Sequence, residues 1–198
     1  PFYEGDLALI ANGEIYNYCE LRNTMTDVEF STASDCEPPL HLYASHGLEF
    51  VKHLRGMYTI AIDDKAGDQL VLARDPFGIK PLYYAETEDG FIFASEAQAI
   101  IATGLVEAEL VADKQDELLQ LQFTTGRQTI FAGIHRVMPG EVLVIRDGRI
   151  AERHNHAALP DGGTRGLSED EALRLLDEYL EESVNLHQRA DVDYGMFL

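Results

Sequence analysis

Met57-Tyr58-Thr59-Ile60-Ala61-Ile62 is followed, across the polar stretch Asp63 to Asp68, by Gln69-Leu70-Val71-Leu72-Ala73. Two apolar runs rich in β-branched residues, joined by a short acidic turn, read as an antiparallel pair of strands. The turn Asp75-Pro76-Phe77-Gly78 comes next, then Leu82 to Ala85 and Phe91 to Ala94 as further strands. Short strands in runs joined by tight turns imply mainly antiparallel sheets, and the helical segments around them make the class α+β.

Upstream, the apolar residues 7–11 end at Asn12-Gly13, and Ile15 and Tyr16 resume the pattern. Asn-Gly between apolar runs is a strong hairpin signal, because both residues tolerate positive φ. Cys19 to Met25 reads as a short helix. Asp35 precedes Cys36-Glu37-Pro38-Pro39, an acidic, proline-containing start for a helix. Leu40, Tyr43, Leu48, Phe50, Val51 and Leu54 continue that helix with a break near Gly47.

Downstream, Ser95 is placed to cap a helix running to about Thr103. Asp116 to Leu121 reads as helix and Glu141 to Ile145 as strand, with Asp147-Gly148 turning into Arg149-Ile150. Pro160, Gly162, Gly163 and Gly166 mark residues 154–166 as a linker. Ser168 to Glu171 matches a capping box, and Leu173, Leu176, Leu180 and Val184 follow at helical spacing. Asp191 to Leu198 reads as the start of a strand.

The chain has 198 residues, enough for one domain or one domain and part of another. Its 35 acidic and 15 basic residues give a net charge of −20, a surface that repels phosphate backbones, so general nucleic-acid binding is not expected. No apolar run reaches the roughly 20 residues of a membrane-spanning helix. Cys19 and Cys36 are too few for a disulfide framework or a four-thiolate zinc site, and read as reduced thiols of a cytoplasmic protein. The chain opens at Pro1-Phe2-Tyr3 and closes on Gly195-Met196-Phe197-Leu198, so both ends read as cut from something longer.

Asn12-Gly13-Glu14 carries two readings. One is a hairpin turn with no chemistry, the commoner use of the dipeptide. In the other, the Asn12 amide and the Gly13 N–H are paired donors for the oxyanion of an acyl-transfer intermediate. Asp35 is either a cap on the following helix or a carboxylate for a substrate ammonium. The 7 histidines show no metal-binding spacing, and no metal site is expected. Nucleophile-elbow, Walker-type and dinucleotide-binding motifs do not occur.

Several segments together resemble the glutaminase domain of class II glutamine amidotransferases, nearest to the asparagine synthetase branch. They are Asn12-Gly13-Glu14-Ile15-Tyr16-Asn17, Ser34-Asp35-Cys36-Glu37 and Leu54-Arg55-Gly56-Met57-Tyr58. Arg74-Asp75-Pro76-Phe77-Gly78-Ile79-Lys80-Pro81-Leu82-Tyr83-Tyr84 and Phe93-Ala94-Ser95-Glu96 continue the series. Thr129 to Ile134 and Met138-Pro139-Gly140 resemble the segment before the family's linker. Residues 189–198 resemble the strand leading into the pyrophosphate loop of the synthetase domain.

The resemblance implies a four-layer αββα sandwich of the N-terminal-nucleophile hydrolase type over residues 1–153. It implies that residues 167–198 begin an α/β ATP-binding domain, and that ATP and Mg serve that downstream domain while this segment needs no cofactor. Asn12 and Gly13 would form the oxyanion hole, and Glu14 and Asp35 would hold the amino end of glutamine. The nucleophilic Cys, and the Arg that binds the glutamine carboxylate, would lie upstream of Pro1. The implied activity is release of ammonia from glutamine for transfer to an ATP-activated aspartate carboxylate. Rival readings are another acceptor for the ammonia, or a binding module without catalysis. A homodimer is compatible with either.

Overall fold

The computed structural model describes residues 1–159, 162, 166–189 and 195. In chain order it opens with β1 (Phe2–Glu4), β2 (Leu7–Ile15), α1 (Tyr18–Thr24) and α2 (Pro38–His46), which passes into a 3-10 segment at Gly47–His53. There follow β3 (Gly56–Asp64), β4 (Gln69–Arg74), β5 (Tyr83–Thr87), β6 (Gly90–Ala94) and α3 (Ala97–Ala102). The rest comprises α4 (Ala112–Leu121), β7 (His135–Arg136), β8 (Glu141–Arg146), β9 (Arg149–Asn155) and α5 (Glu169–His187). Among the described residues the strands form a six-stranded sheet, β1-β2-β3-β4-β8-β9, and a three-stranded sheet, β6-β5-β7. Every strand pairing is antiparallel.

The period-two alternation of the central strands sorts their side chains between two faces. Tyr58, Ile60 and Ile62 of β3, with Val71 and Ala73 of β4, pack against Leu40 and Tyr43 of α2 and against Phe50. The alternate residues Ala61, Leu72, Leu143 and Ile145 face Leu82, Tyr84 and Val137. Behind the small sheet, Ala85 meets Ile100 of α3 and Ile134. The central strands are thus buried on both faces, which is why their sequences are almost continuously apolar.

The structure departs from the sequence reading in definite places. Asn12-Gly13 is not a hairpin turn: β2 runs straight through it, in register with β3 from Leu7↔Asp64 to Ile15↔Gly56. Nine cross-strand pairs outweigh the local turn preference of one dipeptide. Asp35 does not cap α2; Glu37 occupies the cap position without a side-chain bond to the helix, and Pro38 at the first turn supplies the fixed φ that starts it. Ser95 does not cap α3 either, since the cap residue is Glu96.

α2 does end at Gly47, whose φ of 55° stops it. α4 begins at Ala112, ahead of the expected start, and buries no residue, so its sequence carries little periodicity. β9 runs on to Asn155, past the expected start of the linker. The Ser168–Glu171 capping box is present at the head of α5. Of the strand expected over Asp191 to Leu198, all but Gly195 lies outside the described residues.

Candidate active site

Asn12 and Glu14 sit two apart on β2, so their side chains leave the same face of the strand, and both are exposed. Gly13 lies between them, opposite Tyr58. A Cβ at Gly13 would come within 2.1 Å of the Met57 carbonyl oxygen, and one at Gly56 equally close to the Glu14 carbonyl. The two glycines let β2 and β3 approach beyond ordinary strand contact just where Asn12 and Glu14 are displayed.

The Asn12 Nδ2 donates to Ser95 Oγ at 3.4 Å, linking β2 to the end of β6. Beside that contact a cleft of about 220 Å³ opens between the two sheets. Its walls are mainly apolar (Ile10, Ile60, Leu82 and Phe93 among them), with Asn12, Thr59 and Ser95 as its polar groups. An amide donor at the rim of an apolar cleft is a setting in which a hydrogen bond to developing negative charge counts for more than it does in water.

Asp35 arrives from the loop before α2. Its Oδ2 accepts the N–H of Ile15 at 2.7 Å, which fixes the carboxylate one residue beyond Glu14. Next to it the Cys36 thiol points at the Gly13 carbonyl, 3.6 Å away. The Cys36 pKa is pushed up to about 12, first by burial and then by the negative charges of Asp35 and Glu14. A thiol held protonated in this way is no nucleophile at neutral pH. Asp35, held on the Ile15 N–H, thus stands one residue along the strand from Glu14. Two carboxylates sharing a locality favour a cation between them. Cys19 stands elsewhere, on exposed α1 and within electrostatic reach of Arg189.

Of the four residues expected at the site, Asn12, Gly13 and Glu14 are consecutive on β2, and Asp35 reaches the adjoining Ile15 N–H from the loop 20 residues further on. Sequence reasoning missed the partner of Asn12. Ser95 carried a helix-start signal that hid its contact across the sheets. It also missed how firmly the turn after β4 is built. Asp75, fully buried, accepts the N–H groups of Phe77, Ile79 and Lys80, while Arg74 donates to the carbonyls of Gly78, Lys80 and Val137. Among the described residues no three His, Cys, Asp or Glu side chains are grouped to hold a metal ion. No described helix is long and apolar enough to cross a membrane.

Residues 1–156 match the glutamine amidotransferase domain family. The chain is 36% identical over 195 residues to asparagine synthetase [glutamine-hydrolyzing] 1 of Bacillus subtilis, a match covering 96% of the chain and 30% of that protein. It is 34% identical over 204 residues to amidase chry2 of Gibberella zeae, covering 100% of the chain and again 30% of the relative. The chain thus spans about a third of the length of these relatives. In fold it is similar to the glutamine phosphoribosylpyrophosphate amidotransferase of B. subtilis, with a TM-score of 0.56 at 24% identity, over 78% of this chain and 30% of that one. With the family matched over residues 1–156, most of its length, this chain belongs to the class II glutamine amidotransferase domains.

Proposed function

We propose that residues 1–153 form the glutaminase part of an asparagine synthetase-like enzyme, a four-layer αββα sandwich. The linker, expected from residue 154, then begins only after β9 ends at Asn155 and runs to 166, and 167–198 are the start of an ATP-binding domain. The observation that carries the reading is the Asp35 carboxylate bonded to the Ile15 N–H at 2.7 Å, which sets it beside the consecutive β2 residues Asn12, Gly13 and Glu14. In this reading Glu14 and Asp35 bind the α-ammonium of glutamine, which sets its side-chain amide against Asn12 and Gly13. A thiolate attacks the amide carbon, and the negative charge passes to the carbonyl oxygen. That oxygen accepts hydrogen bonds from the Asn12 Nδ2 and the Gly13 N–H. Collapse of the intermediate, with the proton first removed from the thiol passed to the nitrogen, breaks the C–N bond, expels ammonia and leaves a thioester, which water hydrolyses to glutamate and free thiol.

The nucleophile is a cysteine outside these residues, since neither Cys19 nor Cys36 is placed for the task. ATP and magnesium serve the downstream domain, and aspartate is the acceptor we assign. The setting is cytoplasmic. The test is the glutamine KM of the native full-length protein and of its Asp35→Asn variant. Asparagine still accepts the Ile15 N–H but carries no charge, so KM should rise by about tenfold or more, with little change in melting temperature. An Asp35→Asn protein with the parental KM would contradict the assignment.

A further inference from the structure

The segment joining α1 to α2, residues 25–37, has no helix or strand of its own, yet it delivers Asp35. Two charges, a buried Glu37 and a half-buried Arg22, knit it together. Glu37, only 2% exposed, accepts the N–H of Ser31 at 2.6 Å, the N–H of Thr32 at 2.8 Å and the Thr32 hydroxyl at 2.6 Å. From α1, Arg22 Nη2 donates to the carbonyls of Thr32 at 2.9 Å and Ser34 at 2.7 Å. The same guanidinium lies 4.2 Å from the centre of the Phe30 ring, and its Nη2 lies 3.6 Å from the Glu37 carboxylate. Ser34 Oγ then accepts the N–H of Cys36 at 3.2 Å. Residues 30, 31, 32 and 34 are all tied to this one ion pair, and Asp35 is the next residue.

A loop without a backbone ladder owes its conformation to such bonds, and charge-assisted hydrogen bonds are the stronger kind. We propose that Arg22 and Glu37 are positioning residues that hold the Asp35 carboxylate where it meets the substrate ammonium. The proposal rests on the reading of Asp35 as a substrate-binding group. Neither residue touches substrate; each acts through the loop, and their loss would let Asp35 spread over positions of which few are productive.

The experiment compares Arg22→Met, Arg22→Lys, Asp35→Asn and the double variant Arg22→Met/Asp35→Asn in the native full-length protein. Methionine keeps an apolar stem against Phe30 and removes both donors. Arg22→Met should raise the glutamine KM about tenfold while kcat changes less than about twofold, and Arg22→Lys should recover part of the loss. The double variant should be no worse than Asp35→Asn alone, because both changes strike the same contact. A parental KM in Arg22→Met alongside a raised KM in Asp35→Asn would overturn the positioning role, as would KM increases that multiply in the double variant. A parental KM in Asp35→Asn would overturn the underlying reading, and the proposal with it. Hydrogen exchange gives a check independent of turnover. The Ile15 N–H, bonded to Asp35, should lose protection in Arg22→Met while Ile60 and Ile62 in β3 keep theirs. Unchanged protection at Ile15 would overturn the proposal.

Discussion

Gly13 has a structural duty apart from any chemistry. Its missing side chain lets the Met57 carbonyl of β3 close to 2.1 Å from where a Cβ would stand, and the neighbouring obstacle is backbone, which cannot swing aside. Gly13→Ala must therefore part β2 from β3 at the point where Asn12 and Glu14 are presented. We expect a loss of about 2–4 kcal/mol, read from the denaturant midpoint, as for other overpacked positions that force the backbone to move. A variant within about 0.5 kcal/mol of the parent would show that the strands separate freely there. Asp35 likewise has a structural task. It satisfies the N–H of Ile15, a residue only 1% exposed, so its hydrogen bond belongs to the fold and its charge to the ligand. Substitution by Asn separates the two.

Among the elements, those with strong periodicity were legible: β3, β4 and the start of α5 stand close to where their apolar alternation and capping box put them. β1 and β7, at 3 and 2 residues, are too short to show any period. The Asn12-Gly13 turn was misread because a dipeptide reports local preference, whereas β2 is decided by pairing with a strand more than 40 residues away. Glu14 and Asp35 were legible as candidates, but the ion pair behind Asp35 was not, since nothing in the spacing of Arg22 and Glu37 announces it. Polar contacts between elements are similarly silent in sequence. Glu141, at the head of β8, accepts both terminal nitrogens of Arg127 at 2.8 and 2.7 Å and Arg153 Nη1 at 3.0 Å. Arg153 also donates to the Tyr84 hydroxyl, so this network ties the large sheet to the small one. Burial pushes the Glu141 pKa up, but the bonds from Arg127 and the Met138 N–H outweigh it, and the net shift is downward. A carboxyl depressed in the folded state stabilises above its ordinary pKa, and that contribution is lost as pH falls through the folded value. The melting temperature should therefore drop on acidification below about pH 4, and Glu141→Gln should flatten that part of the curve. An identical slope in the variant would show that Glu141 is not among the groups responsible.

For the molecule as a whole, 20 surplus negative charges surround a site that itself gathers carboxylates. In the proposed function the cation it meets is the ammonium end of glutamine, beside the apolar cleft at Asn12. Bulk composition disfavours phosphate-backbone partners, but the candidate site depends on four residues placed by β2, β3 and the Asp35 loop. The proposed function divides binding from chemistry, assigning KM to Asp35 and Glu14 and the charge on the reacting oxygen to Asn12 and Gly13. The measurement that bears most directly on this division is the kcat for ammonia release from glutamine by the native full-length protein carrying Asn12→Ala, set beside its ammonia-driven synthesis. Removal of one oxyanion donor should lower the glutamine-driven kcat by about a hundred- to a thousandfold, leaving ammonia-driven synthesis and the melting temperature close to the parent. An unchanged glutamine-driven kcat, or an equal fall in both activities in a protein that remains folded, would contradict it.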